Sequence, residues 1–214
     1  MDVRVENTTN LIDSLASDLQ QVQVVGHPLK QVLPWFVLAV LYVTFAVAVL
    51  GARADIAERM FQSVYLFEIG LVLAMSVSAA FCSIWLCIPD MRGQRWMLAL
   101  PVSFFGALLV WLGLRFGLDF SHMPHLEWHQ CINEALVFGV IPVISLSYLT
   151  SRGKTTQPNV LSFMNALAIG GLGYIGLRIT CPSEDIAHIL LFHFLPYVFI
   201  GLGVWASGRK IYRW

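Results

Sequence analysis

Two stretches hold most of the residues capable of chemistry. One reads LDFSHMPHLEWHQCINE and contains His122, His125, Glu127, Trp128, His129, Cys131 and Glu134. The other reads RITCPSEDIAHILLFH and contains Cys181, Glu184, Asp185, His188 and His193. One thiol in each, with imidazoles close by, suits three chemistries: a structural disulfide, a redox-responsive thiol pair, or a metal site using thiolates with His129 or His188. No tight Cys-x2-Cys pair anchors a metal. Pro182 suits the first position of a helix, which makes Cys181 its cap and lowers its pKa through the helix dipole. Asp185 and His188 then follow on the face of Cys181. His193 lies deeper and reads as a packed, hydrogen-bonded histidine. On the other segment Pro124 is expected to open a helix on which Glu127, Cys131 and Glu134 share one face. Cys82 and Cys87, five residues apart, point to different sides and read as packing residues.

The elements that must carry these side chains are apolar. The 214-residue chain is 57% hydrophobic and 12% charged, with mean hydropathy +0.71. A soluble domain carries roughly twice that charge. Apolar runs lie at roughly 33–52, 64–88, 97–117, 133–150, 159–179 and 187–206, each near the length that crosses a bilayer as a helix. They are apolar all round, which excludes a barrel. The expected fold is therefore an all-α, six-helix transmembrane bundle over 33–214, preceded by a short arm over 1–32. No cleavable signal is visible, so the first run is expected to remain as an anchor. The formal net charge is zero, which leaves no footprint for direct nucleic-acid contact.

Basic residues set the sidedness. The termini and alternate connections carry nine of them: Arg4, Lys30, Arg92, Arg95, Arg152, Lys154, Arg209, Lys210 and Arg213. The opposite side has four: Arg53, Arg59, Arg115 and Arg178. The positive-inside rule puts both termini in the cytoplasm and Cys131 and Cys181 on the far face. In a bacterial inner membrane that face is oxidising, where a disulfide persists. Antiparallel neighbours in sequence carry the two cysteines, so the thiols can meet.

In the arm, Leu11, Ile12, Leu15, Leu19 and Val22 repeat at helical spacing, with Asn10 as the expected N-cap and Gly26, His27 and Pro28 as the stop. The polar face is acidic, through Asp13 and Asp18. Helices that lie on lipid usually carry basic polar faces, so this one suits a protein groove better. Inside the apolar runs, Glu68 is costly unless it faces the bundle and pairs, and Arg115 and Arg178 are its available partners. Gly170, Gly171, Gly173 and Gly176 give the fifth run a small face that another helix can approach closely.

The arm, the six runs and above all the ending CPSEDIAHILLFHFLPYVFIGLGVWASGRKIYRW resemble the NrsF-type membrane anti-sigma factors. The resemblance implies a non-enzymatic protein of the bacterial inner membrane that sequesters an extracytoplasmic-function sigma factor. It also implies release under oxidative or metal stress, with Cys131 and Cys181 as the sensing thiols. His129, Asp185, His188 and His193 are candidates for tuning them or holding a metal; no other cofactor is expected. Leu11, Ile12, Leu15 and Leu19 are the expected sigma-binding residues, and membrane lipid is the other partner. The rival reading is a membrane thiol-disulfide oxidoreductase coupled to quinone.

Overall fold

The computed structural model describes residues 2–17, 27–88, 95–119, 130–153 and 155–212. The elements are α1 (Asp2–Ser17), α2 (Pro28–Leu50), α3 (Ile56–Arg59), α4 (Ser63–Trp85), α5 (Ala99–Asp119), α6 (Gln130–Ser151), α7 (Pro158–Thr180), α8 (Ile186–His188) and α9 (Leu195–Ile211). A 3-10 turn, Arg95–Leu98, leads into α5, and a π-helical turn, Ile189–Phe194, joins α8 to α9. Among the described residues there is no strand, and six helices are long and apolar enough to cross a membrane. The chain is a helical membrane bundle.

Helix α7 is the axis. Its spanning window is 72% buried, against 17–39% for the other five. It packs against α2, α4, α6 and α9, while α5 leans mainly on α4. The glycines that read as one small face are divided among three neighbours. A side chain at Gly171 would meet the Ser76 Cβ of α4 at 2.8 Å, and one at Gly176 would meet the Phe138 ring of α6 at 2.6 Å. One at Gly173 would run into the Tyr197 hydroxyl of α9. Small residues let helices close up where lipid offers no hydrophobic drive to associate.

Hydroxyls fasten the contacts. Ser76 donates to the Ala168 carbonyl at 2.6 Å and Tyr197 to the Ala135 carbonyl at 3.1 Å. At the end away from the cysteine pair, Asn165 Nδ2 donates to Thr150 Oγ1 at 3.1 Å and Tyr212 Oη at 2.9 Å, tying α6, α7 and the end of α9 together.

Two sequence expectations change at the arm. Helix α1 begins by Asp2, so Asn10 sits inside it rather than capping it. Helix α2 begins at Pro28, and Nδ1 of His27 accepts from the Leu29 amide at 3.3 Å. Proline is favoured at the start of a helix because it lacks an N–H to leave unpaired. Pro28 therefore opens α2, and Lys30 lies within its first turn.

Candidate functional site

Cys131 stands in the first turn of α6, and Cys181 follows directly after α7. Their sulfurs are 3.5 Å apart, with Cys131 donating to Cys181. Nε2 of His188 lies 3.6 Å from the first and 3.5 Å from the second. His193 completes a group of four buried side chains whose donor atoms all lie within 4.8 Å of one another. Both cysteines are free thiols.

A dense polar frame positions this group. Thr180 Oγ1 donates to Glu134 at 3.0 Å, which links the residue beside Cys181 to the turn of α6 that carries Cys131. The segment between α7 and α8 is held by arginines. The Arg53 amide donates to the Ile179 carbonyl at 2.9 Å, and its guanidinium to the Pro182 carbonyl at 3.0 Å and Glu184 at 2.6 Å. Arg178 donates to the Ser183 carbonyl at 3.3 Å and to Glu184 at 2.8 Å, and Arg115 to the Glu184 carbonyl at 3.3 Å. Burial pushes the Glu184 carboxyl up, but Arg178 and then Arg53 outweigh it and hold it below the usual range.

Glu68, fully buried, anchors the frame from below. One carboxylate oxygen accepts from Tyr174 Oη at 2.7 Å and Arg178 Nε at 3.0 Å. The other accepts from Arg115 at 2.9 Å and Trp111 Nε1 at 3.3 Å. With every lone-pair direction met, the carboxylate can stay charged in the bundle. Glu68 thus joins both expected arginines at once, a buried structural cluster.

The chain matches the family model described as negative regulator of sigma F over residues 15–214. It belongs to the NrsF family. No curated protein and no solved structure matches it. The function that comes with membership is negative regulation of a sigma factor, with a sigma factor as partner.

Several features of this NrsF chain differ from the sequence reading. Cys181 is extended (φ −82°, ψ 127°) and caps the C-terminus of α7; it does not cap a following helix. Residues 181–185 are not helical, so Asp185 does not share a face with Cys181. Its carboxylate instead accepts from the Ala187 amide at 3.3 Å and caps α8. Cys181 is nonetheless held well below the usual cysteine range. The Cys131 S–H donated to it is the main cause, with His188 adding to it against burial.

Taken from its own helix, His193 reads as a hydrogen-bonded packing residue, while the resemblance makes it a candidate for tuning the thiols or holding a metal. It is fully buried, neither ring nitrogen has a hydrogen-bond partner, and it joins the thiols. The π-turn explains the difference. In an α-helix residues five apart face different sides; closing i→i+5 stacks them. The rings of His188 and His193 accordingly meet edge to face with centroids 5.3 Å apart. Pro196 supplies a cause, because its ring would clash with the Phe192 carbonyl in a regular helix. The arrangement of arginines around the backbone of 179–184 was not visible in the sequence either, since it depends on the loop from α2 reaching the end of α7.

Among the proposed sigma-binding residues, Leu11, Ile12 and Leu15 are each more than half exposed on α1. Leu19 and His129 lie outside the described residues. Cys82 and Cys87 are buried, remote in sequence from the four-residue group, and donate only to carbonyls.

Proposed function

We propose that this protein holds an extracytoplasmic-function sigma factor through its N-terminal arm and releases it when Cys131 and Cys181 are oxidised or capture a thiophilic metal. The single observation that carries the reading is the contact of the two thiols across α6 and the end of α7, with His188 against both. Sidedness from basic charge adds to it: the arm and both termini lie in the cytoplasm, and the thiols face the periplasm across a bacterial inner membrane.

Chemistry at the thiols acts on the axis of the bundle. Bond formation brings the sulfurs from 3.5 Å to about 2.05 Å and crosslinks the start of α6 to the end of α7. Helix α7 reaches from there to Asn165, which holds Thr150 and Tyr212 at the cytoplasmic end. A shift of α7 therefore moves the end where sigma is held. A hundredfold loss of sigma affinity needs about 2.8 kcal/mol of coupling, within the usual range for linked sites.

The donor set also suits a metal. A tetrahedral ion with sulfur at about 2.3 Å and nitrogen at about 2.0 Å separates its donors by roughly 3.3–3.8 Å. The observed sulfur–sulfur and sulfur–nitrogen distances of 3.5–3.6 Å match. Cys131, Cys181, His188 and His193 would hold such an ion, and it would supply the same crosslink without oxidation.

The deciding experiment maps the thiols by mass spectrometry in resting and stressed cells, alongside sigma-dependent transcription. Cys131→Ser with Cys181→Ser is expected to lock the output. An unchanged stress response in that double variant would remove the sensing claim. Leu11→Asp with Leu15→Asp is expected to free sigma; retained co-purification would exclude the arm as the docking element.

A further inference from the structure

An apolar cleft of about 360 Å³ runs between α7 and α9 beside α5. Phe163 and Trp205 stand toward one end of it, and Tyr174 and His193 at the other. Phe163, Leu202 and Trp205, all lining residues, are 39–53% exposed on spanning helices, so the cleft opens toward acyl chains. The opposite end stops at His193. That ring is fully buried, its two nitrogens lack partners, and its donor atom lies within 4.8 Å of both thiol sulfurs. A buried imidazole in this state is costly unless something meets it. The π-turn that carries it is a feature found often at functional sites.

We infer that the cleft binds a membrane quinone and that the quinone is the oxidant of Cys131 and Cys181. This rests on reading the two thiols as redox-responsive. A quinone carbonyl accepts a hydrogen bond from a ring N–H of His193, which neutral imidazole can supply. The quinone ring lies between aromatic walls at that end, where Tyr174 packs edge to face on His193 at 6.3 Å and Phe105 stacks on Phe194 at 6.5 Å. The isoprenoid tail leaves by the mouth into lipid. A fatty acid or phospholipid would instead bring an anion to an apolar wall with no cation among the residues that line the cleft.

The two reactants match in electrons. The Cys131 and Cys181 sulfurs join as the Cys131 S–H breaks, giving up two electrons and one proton; the second proton, already lost by the Cys181 thiolate, comes from water. The quinone accepts the two electrons and both protons and leaves as the quinol. His193 lies between sulfur and carbonyl and carries the Cys131 proton from one to the other. The signal read at this site is then the oxidation state of the quinone pool.

The test uses the purified full-length protein, reduced, in nanodiscs under argon, with decylubiquinone as the probe. The disulfide is followed by maleimide mass-tagging and peptide mapping, and quinol by ultraviolet absorbance. The expected result is one quinol per Cys131–Cys181 bond. Ala166→Phe, which fills the cleft, should slow this at least tenfold while the water-soluble oxidant diamide still closes the bond at the wild-type rate. Should Ala166→Phe lose its reaction with diamide, Leu202→Trp at the lipid-facing mouth replaces it, with the same expectation. Closure by diamide but not by decylubiquinone in the wild type overturns the quinone proposal and leaves thiol sensing standing. Failure of both oxidants removes the thiol reading itself. Equal quinone rates in wild type and the cleft variant would exclude the cleft as the route and so overturn the proposal.

Discussion

The four cysteines form two pairs with similar burial and opposite company. Cys82 donates to the Met97 carbonyl at 3.2 Å; Cys87 donates to the Ser83 and Thr150 carbonyls at 3.3 and 3.5 Å. Carbonyls accept a thiol proton but give nothing to a thiolate, and burial pushes Cys87 up to about 12. Cys131 and Cys181 are equally enclosed, yet each sulfur faces the other and an imidazole. What separates the two pairs is their neighbours, which at Cys181 favour the thiolate, rather than access to solvent.

The largest expected effect comes from breaking the frame under Cys131 and Cys181. Glu68→Leu leaves the arginine side chains buried with less compensation, which costs about 3–5 kcal/mol. Thermal unfolding in detergent should show the loss, while Ser83→Ala beside Cys87 should leave the midpoint within a few degrees. Next comes reactivity. Iodoacetamide at pH 7 should modify Cys181 at least about a hundredfold faster than Cys87, read by peptide mass spectrometry. Equal rates would erase the distinction between the pairs.

A smaller change is expected at the helix contact between them. Gly176→Ala presses a methyl on the Phe138 ring and should cost about 1–3 kcal/mol, with the oxidised state altered more than the reduced one if α7 moves. The smallest effect is of pH. Glu184 and Asp55 are both held below the usual carboxylate range by arginines. Their stabilising contribution is complete above the unfolded carboxylate range, about pH 4–4.5, and is lost as pH falls through the depressed folded values. Acid titration should therefore loosen the segment around Cys181 before it affects the surroundings of Cys87. Simultaneous loss at both would place the acid-sensitive contacts elsewhere.

Much of this arrangement is legible in the residues alone. Lipid requires long uninterrupted apolar helices, so hydropathy marks all six spans, and the antiparallel order brings Cys131 toward Cys181. The need to neutralise Glu68 points to Arg115 and Arg178. The failures have a common cause. Pro182 looks like a helix start, but three arginines from different elements hold residues 181–185 in an extended path. Helix spacing alone makes His193 look like packing, although the resemblance puts it among the candidates at the thiols; an α-helix would turn it away from His188, and the π-turn above Pro196 turns it back. Each error came from assuming regular backbone where long-range contacts or one proline impose another geometry.

That turn also changes what the segment can tolerate. A π-turn holds one residue more than the α-helix around it, so removing Leu191 together with Pro196→Ala offers a regular helix in place of a broken one. The bundle should absorb such a deletion and keep Tyr212 in register with Asn165. The two imidazoles would no longer share a side, leaving a protein that folds and inserts but is deaf at its sulfurs.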